Sequence, residues 1–446
     1  MTGGTREVCV RPGRYGFGCT TSGTVSRAMI RSILREREHG MARTSVLAKI
    51  GVGVVAGAVL VIGSTAAHAV TTTAAAPWVD GWAASPQSSA KATDTVSFAN
   101  QTLRLIVHLH TSGTMVRLRL SNTFGDRDVT INRATVALRT SGAAVKSVHP
   151  ATFGGQTAVT LVKGTEASSD LVHVPVSAGQ DLAVSLYLKN PTGPATYHRA
   201  AQQTSYVSVA GDHARETGAA SFTTTTGHWF LLDAVSVAGG TAPGTIVALG
   251  DSITDGSGSG GNANRRWPDL LSVRLLARPG TPAKSVVDEG IAGNRVLTDD
   301  PANGVSALHR LTRDVLVRRG LTDVILLEGI NDLRSASPPA TADQIIAGYQ
   351  QIIDRVHAKG ARIFGATITP VEGSARYTAT MEAQRQKINQ WIRTPGHFDG
   401  VVDFAAAIQD PSDPLRIKPA DDSGDHLHPN ATGYQAMADA IDLDLF

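Results

Sequence analysis

Cysteine is almost missing from this chain: of 446 residues only Cys9 and Cys19 are cysteines. Everything after residue 19 therefore folds without a disulfide framework and works without thiol chemistry. Aromatic residues make up 5% and charged residues 18% of the chain, and 42% is hydrophobic, which excludes a disordered scaffold and leaves ordinary globular protein of about two domains. No apolar run reaches the roughly 20 residues that cross a bilayer; Ile50 to Ile62 is 13 residues rich in Gly and Ala. A basic cluster is lacking too. Nine of the 41 Lys and Arg and three of the 38 Asp and Glu lie up to Ala69, which leaves 32 against 35 and a formal net charge of −3 for the remainder. Nothing in that remainder argues for nucleic acid as a partner.

The apolar run has a second meaning. Arg43 and Lys49 precede it and Ala67-His68-Ala69 follows it, the order of a secretory signal with its small-residue cleavage site. Residues 41–69 are expected to be a signal peptide, so that a secreted, extracellular chain begins at Val70. A membrane anchor is the rival reading, and the run is short for it. Residues 1–40, rich in Arg and Gly and without apolar periodicity, read as an untranslated or non-native leader ahead of a start at Met41.

Between about Trp78 and Gly239 short alternating runs rich in Val, Thr and Leu are broken by Gly, Asn, Asp and Pro: Leu103 to His110, Met115 to Leu120, Val129 to Leu138, Ala158 to Val162, Leu182 to Leu188 and Trp229 to Val237. Such spacing predicts an all-β sandwich domain over residues 70–240, including its linker. From residue 241 onward strands alternate with helices. Thr245 to Leu249, Ser285 to Val287, Val324 to Leu327, Arg362 to Ala366 and Val401 to Phe404 read as buried strands. Ile345, Ile346, Tyr349, Ile352, Ile353 and Val356 share one face of a helix that ends at Gly360. This alternation predicts an α/β domain over residues 241–446 with a doubly wound parallel sheet, whose ligands gather beyond the carboxyl ends of the strands.

Three motifs fall at such ends. Gly250-Asp251-Ser252 follows the first strand, and the exit would present the Ser252 hydroxyl together with its own amide. Capping a helix is the plainer reading of a lone serine there, and no G-x-S-x-G elbow follows a candidate strand. Asp425 and His428 are separated by two residues in an irregular stretch, a spacing that lets the carboxylate reach one imidazole nitrogen and frees the other for Ser252. His426 is a rival base, and the two histidines together invite a metal reading that lacks a third ligand at recognised spacing. Pro429 is expected to open the final helix. Asn331, in Gly329-Ile330-Asn331-Asp332, can donate its amide to an oxyanion or merely close an Asx-turn. Gly293 can offer a backbone N–H, as can any glycine after a strand.

These four blocks, in this order, resemble the SGNH, or GDSL-type, hydrolases from about Thr245 to the C-terminus. The resemblance implies a flavodoxin-like α/β/α fold, a Ser252–His428–Asp425 triad, and an oxyanion hole made by the amides of Ser252 and Gly293 with the side chain of Asn331. It assigns His428 as base, because that position immediately precedes Pro429. The chain from residue 70 is also similar to secreted bacterial members with an N-terminal β-domain, often described as lipases or acetylxylan-esterase-like. The family spans carbohydrate acetylesterases, lipases, phospholipases and thioesterases, so it does not set the substrate.

The expectation is thus a serine esterase that needs no metal or organic cofactor, acting through an acyl-enzyme on a small-molecule or polysaccharide ester, with acetyl esters of carbohydrates preferred. The rivals are a lipase or phospholipase for longer acyl groups and a vestigial carbohydrate-binding protein. Asp255, Asn262, Arg265, Arg266, Asn294, Arg295, Asp332 and Glu372 are explained as well by capping, solvation or ion pairs. His108 and His110 read as a solvated strand face, and Trp78, Trp82 and Trp229 as core aromatics rather than sugar platforms. The β-domain is open to three roles: binding polysaccharide, walling the cleft, or stabilising the catalytic domain.

Overall fold

A computed structural model describes residues 77–89, 96–334 and 337–446. The expected leader (1–40) and signal peptide (41–69) lie outside these residues. In the β-domain the alternating pattern does what a pleated strand requires, sending every second side chain to the same face. Leu103, Leu105 and Val107 of strand Gln101–His108 and Leu182, Val184 and Leu186 of its antiparallel neighbour Asp181–Leu188 point into one core. Val116, Leu118 and Leu120 of Gly113–Ser121 and Val235 and Val237 of Leu232–Ala238 meet them from a second sheet. The first sheet has six strands and the second five, all paired antiparallel, which is the expected sandwich.

Two expected runs divide. Val129–Ile131 pairs with Val159–Leu161, whereas Arg133–Ser141 joins the six-stranded sheet. Trp229–Phe230 pairs with Tyr197–His198 and the chain then turns at Leu231, whose φ of 59° no strand accommodates. Trp82 and Trp229 are buried and meet edge to face at 4.8 Å, the core role expected of them.

From Thr245 the strands run parallel in the order Ser285–Gly290, Thr245–Gly250, Leu321–Leu327, Arg362–Ala366, Gly400–Val402. That is the 2-1-3-4-5 order of flavodoxin-like sheets. The interior strands are largely apolar on both faces because each face is covered. Val247, Leu249, Val324 and Leu326 pack on helices Ala342–Ala358 and Ala379–Arg393, while Ile246, Ala248, Ile325 and Leu327 pack on Trp267–Ala277 and Ala431–Asp439. Thr341 caps the helix that carries Ile345, Tyr349, Ile352 and Val356, and Gly360 ends it in the left-handed region. The final helix differs from expectation. It starts at Ala431, because the Asn430 side chain accepts from the N–H groups of Thr432 and Gly433, and Pro429 stands outside the cap.

All described residues belong to one compact unit, and the boundary between sandwich and α/β layer is rich in buried charge. Arg318 of the α/β segment contacts Asp233 of the sandwich at 2.7 Å and Glu289 at 2.7 Å, with all three side chains fully enclosed. His110 is covered by the same boundary: its Nδ1 lies 2.7 Å from the Val286 carbonyl and its Nε2 3.1 Å from Asp269. The reading of His108 and His110 as a solvated face is therefore corrected, since the α/β segment covers that end of the strand and His108 is only 20% exposed beside Asp181. Removing one partner of a buried ion pair strands the other, at a cost of about 3–5 kcal/mol. Arg318→Met should lower the unfolding free energy by about that amount in urea denaturation, and a loss below about 1 kcal/mol would show the pair to be dispensable.

Candidate active site

The interior strand Thr245–Gly250, paired on both sides, delivers the nucleophile candidate. A Cβ on Gly250 would sit 2.1 Å from Thr254 Oγ1 and 2.5 Å from the Leu327 carbonyl, so only glycine lets the chain turn this tightly against its neighbour. Asp251 then caps the short helix Ser252–Asp255 by accepting the Ile253 N–H at 3.0 Å. Asp251, not Ser252, fills the capping role. Ser252 holds the first helical position, where an N–H has no partner inside the helix. Burial pushes the Asp251 carboxyl up to about 7, with Asp332 and Asp255 adding to the rise and the Ile253 N–H opposing it.

The loop before the final helix brings the other two partners. Nε2 of His428 is 2.8 Å from the Ser252 hydroxyl, and Nδ1 is 2.6 Å from Asp425 Oδ2. The other Asp425 oxygen accepts the backbone N–H groups of Leu427 and His428 at 3.0 and 2.8 Å. Partial burial works to raise the Asp425 carboxyl, yet those N–H groups and the imidazole outweigh it and hold the group down to about 2. Asp425 is therefore ionised throughout the neutral range and can orient a donor imidazole N–H. His426, the rival base, turns away: its φ is 60° and its Nδ1 bonds Asp422 at 2.6 Å.

The two further donor candidates come from different elements and meet at the loop after strand Ser285–Gly290. Gly293 adopts φ +81°, and a Cβ there would lie 2.6 Å from the Asn303 side chain. Asn331 is buried in the first turn of helix Ile330–Arg334, just beyond strand Leu321–Leu327. Its Nδ2 donates to the Asn294 carbonyl at 3.0 Å, which uses one amide hydrogen and leaves a second. The structure thus joins Ser252, His428 and Asp425 in one hydrogen-bonded chain and ties Asn331 to the residue after Gly293. Among the described residues no group of three or more His, Cys, Asp or Glu side chains is arranged to hold a metal, and no helix is long and apolar enough to cross a membrane.

Residues 248–436 match the model of the GDSL-like Lipase/Acylhydrolase family. This segment is a GDSL-like lipase/acylhydrolase domain, and so a carboxylic ester hydrolase. Solved structures similar to the acylhydrolase domain include Est24, a carbohydrate acetylesterase from Sinorhizobium meliloti, at 15% identity over 44% of this chain and 95% of that one, with a TM-score of 0.35. The M. smegmatis aryl esterase is similar at 17% identity over 44% and 94%, TM-score 0.34. The lipase/acylhydrolase from Enterococcus faecalis is similar at 20% over 44% and 92%, TM-score 0.35. No curated protein matches the chain.

Several residues that hold the acylhydrolase site were passed over in the sequence. Arg310, fully buried, donates to the carbonyls of Gly250 at 2.9 Å and Glu289 at 2.6 Å and to Asn294 Oδ1 at 2.9 Å. One guanidinium thereby clamps the strand end below Ser252 to the loop that carries Gly293. Asp332 accepts the N–H groups of Val296 and Leu297 at 2.8 and 3.1 Å. Asn294 and Asp332 were noticed in the sequence and given only capping, solvation or ion-pair roles, whereas Arg310 belongs to no local pattern. Of the others named earlier, Arg295 pairs with Asp300, Asn262 bonds Gln203 and Thr204, and Glu372 lies 3.5 Å from Arg416.

The raised Asp251 carboxyl gives a signed expectation. A native pKa above the ordinary value of 3.8 contributes stability that is complete below that value and is lost as pH rises through about 7. Asp251→Asn keeps an acceptor for Ile253 and cannot ionise. Its stability relative to the native chain should climb between about pH 4 and about pH 8 in thermal or urea unfolding, and a flat or falling difference would contradict the assignment.

Proposed function

We propose that the protein is a secreted serine esterase in which Ser252 attacks the carbonyl carbon of a carboxylic ester. The observation that carries this reading is the unbroken hydrogen-bonded path from the Ser252 hydroxyl through His428 to Asp425. As the serine oxygen bonds to carbon, His428 Nε2 takes its proton and Asp425 steadies the resulting imidazolium. The carbonyl oxygen becomes an oxyanion that receives the N–H groups of Ser252 and Gly293 and the free amide hydrogen of Asn331. Collapse expels the alcohol, which leaves with the proton from His428, and an acyl-enzyme remains. Water, deprotonated by His428, then attacks the acyl carbon and releases the acid with Ser252 restored. No step calls for a metal or an organic cofactor.

For substrate we infer short acyl esters, acetyl foremost, of hydroxylated alcohols such as carbohydrates. The family resemblance and the expected signal at residues 41–69 support this.

Ser252→Ala and His428→Ala should each abolish hydrolysis of p-nitrophenyl acetate, and Asn331→Ala should lower kcat by about 10² to 10³. Retained turnover in Ser252→Ala would overturn the nucleophile assignment. Hydrolysis should fall steeply from acetyl to long-chain p-nitrophenyl esters, and a strong preference for long chains would replace the acetylesterase reading with a lipase. A chain cleaved after Ala69 on export, seen by N-terminal sequencing of culture supernatant, is the expected mark of secretion.

A further inference from the structure

Asp255 closes the short helix that Ser252 opens, and its two carboxylate oxygens look in different directions. Oδ2 accepts the backbone N–H of Ala292, the residue before Gly293, at 2.9 Å. Oδ1 lies 3.0 Å from Nε2 of His198, which belongs to the β-domain strand Tyr197–His198. On its other side the His198 ring has Nδ1 2.9 Å from the Ser85 carbonyl, also in the β-domain. A carbonyl only accepts, so Nδ1 donates to Ser85, and a proton on Nε2 would give the ring a positive charge beside the Asp255 carboxyl. Burial opposes that charge, but Asp255 more than compensates and raises the imidazole above its ordinary range. Both side chains are almost wholly enclosed, and Trp229 packs on the ring at 5.5 Å.

The loop that Asp255 holds has little slack. A Cβ on Gly290 would stand 2.2 Å from the Asp255 nitrogen, so the loop carrying Gly293 is pressed against the helix carrying Ser252. Ser85 braces the other end: its hydroxyl accepts from Arg310 at 2.7 Å and donates to Glu289 at 2.6 Å, and Arg310 is the clamp between Gly250 and Asn294. Donors aimed at an oxyanion must be placed to a fraction of an ångström. Here the parts that aim them are gripped from outside the acylhydrolase domain.

We propose that His198 of the β-domain is a positioning residue for the oxyanion hole, acting through Asp255 to fix the loop of Ala292 and Gly293 against the helix of Ser252. This rests on the reading of Ser252 as nucleophile and Gly293 as oxyanion donor. It gives the β-domain a part in turnover, beyond binding or bulk stability, without placing any of its atoms on the substrate.

The test uses the full chain as wild type, His198→Ala, His198→Gln and Ser252→Ala, with p-nitrophenyl acetate as substrate. Rates are normalised to sites titrated with a fluorophosphonate, so unfolded molecules do not count. A misplaced donor should cost less than a deleted one, so kcat per titrated site in His198→Ala should fall by about 10- to 10²-fold with KM changed by less than about threefold. The inhibition constant of a methyl trifluoromethyl ketone, whose serine adduct carries the oxyanion, should rise by the same factor as kcat/KM falls. His198→Gln, which keeps a donor towards Asp255, should recover part of both. A role confined to stability would lower the number of titrated sites and leave kcat and ketone affinity per site within about twofold of wild type; that result overturns the proposal. If it occurs while Ser252→Ala is inert, only the role of His198 fails. If Ser252→Ala still turns over, the triad reading fails first.

Discussion

The hydrogen bond between Ser252 and His428 joins residues 176 positions apart, and a parallel sheet is what makes it possible. In the 2-1-3-4-5 order the first strand lies inside the sheet between the second and the third, so the chain leaving Gly250 emerges in the crevice where the strand order reverses. Helix Ala431–Asp439 packs on one face of that sheet and sets the loop before it over the same crevice. Asp425 and His428 reach Ser252 because that helix is docked through Tyr434 and Met437, so burial of an apolar stripe elsewhere fixes this hydrogen-bonded geometry. The tight contact of Gly250 with Thr254 and Leu327 then leaves the serine little freedom to sit anywhere else.

A second constraint is electrostatic. The boundary between sandwich and acylhydrolase domain encloses Arg318, Asp233, Glu289, Arg310, Asp255 and His198. Charges removed from water add little net stability and punish any arrangement that leaves one unpaired. They act as a register: the two layers can slide or tilt only by abandoning partners. Ala83 and Ala234 supply the apolar part of the same contact by joining the cluster around Val247 and Val287.

Much of this was legible in the residues. Strands of the parallel sheet were marked by short apolar runs followed by loops carrying polar or glycine residues, and the helix through Ile345 and Val356 by its period and by Gly360. Ser252, Asp425, His428 and Asn331 announced themselves because each lies in a block whose spacing has a chemical purpose. What stayed hidden depends on contacts between distant segments. Arg310 and His198 stand in stretches with no periodic or motif signal, and each matters only for the atoms that folding brings to it. Leu231 hid a strand break, since its positive φ is imposed by the turn between two pairings and leucine has no preference for it. Pro429 misled in the opposite way: a residue suited to a first helical turn stands next to Asn430, a better cap.

Arg318 carries a last implication, for how such proteins are assembled in evolution. Its partners come from both sides of the boundary, so exchanging the sandwich for an unrelated carrier module would bury a guanidinium with half its counter-charge gone. A recombination event that exchanged the sandwich alone would therefore have to be accompanied by a change at Arg318 or by a new acidic partner in the place of Asp233.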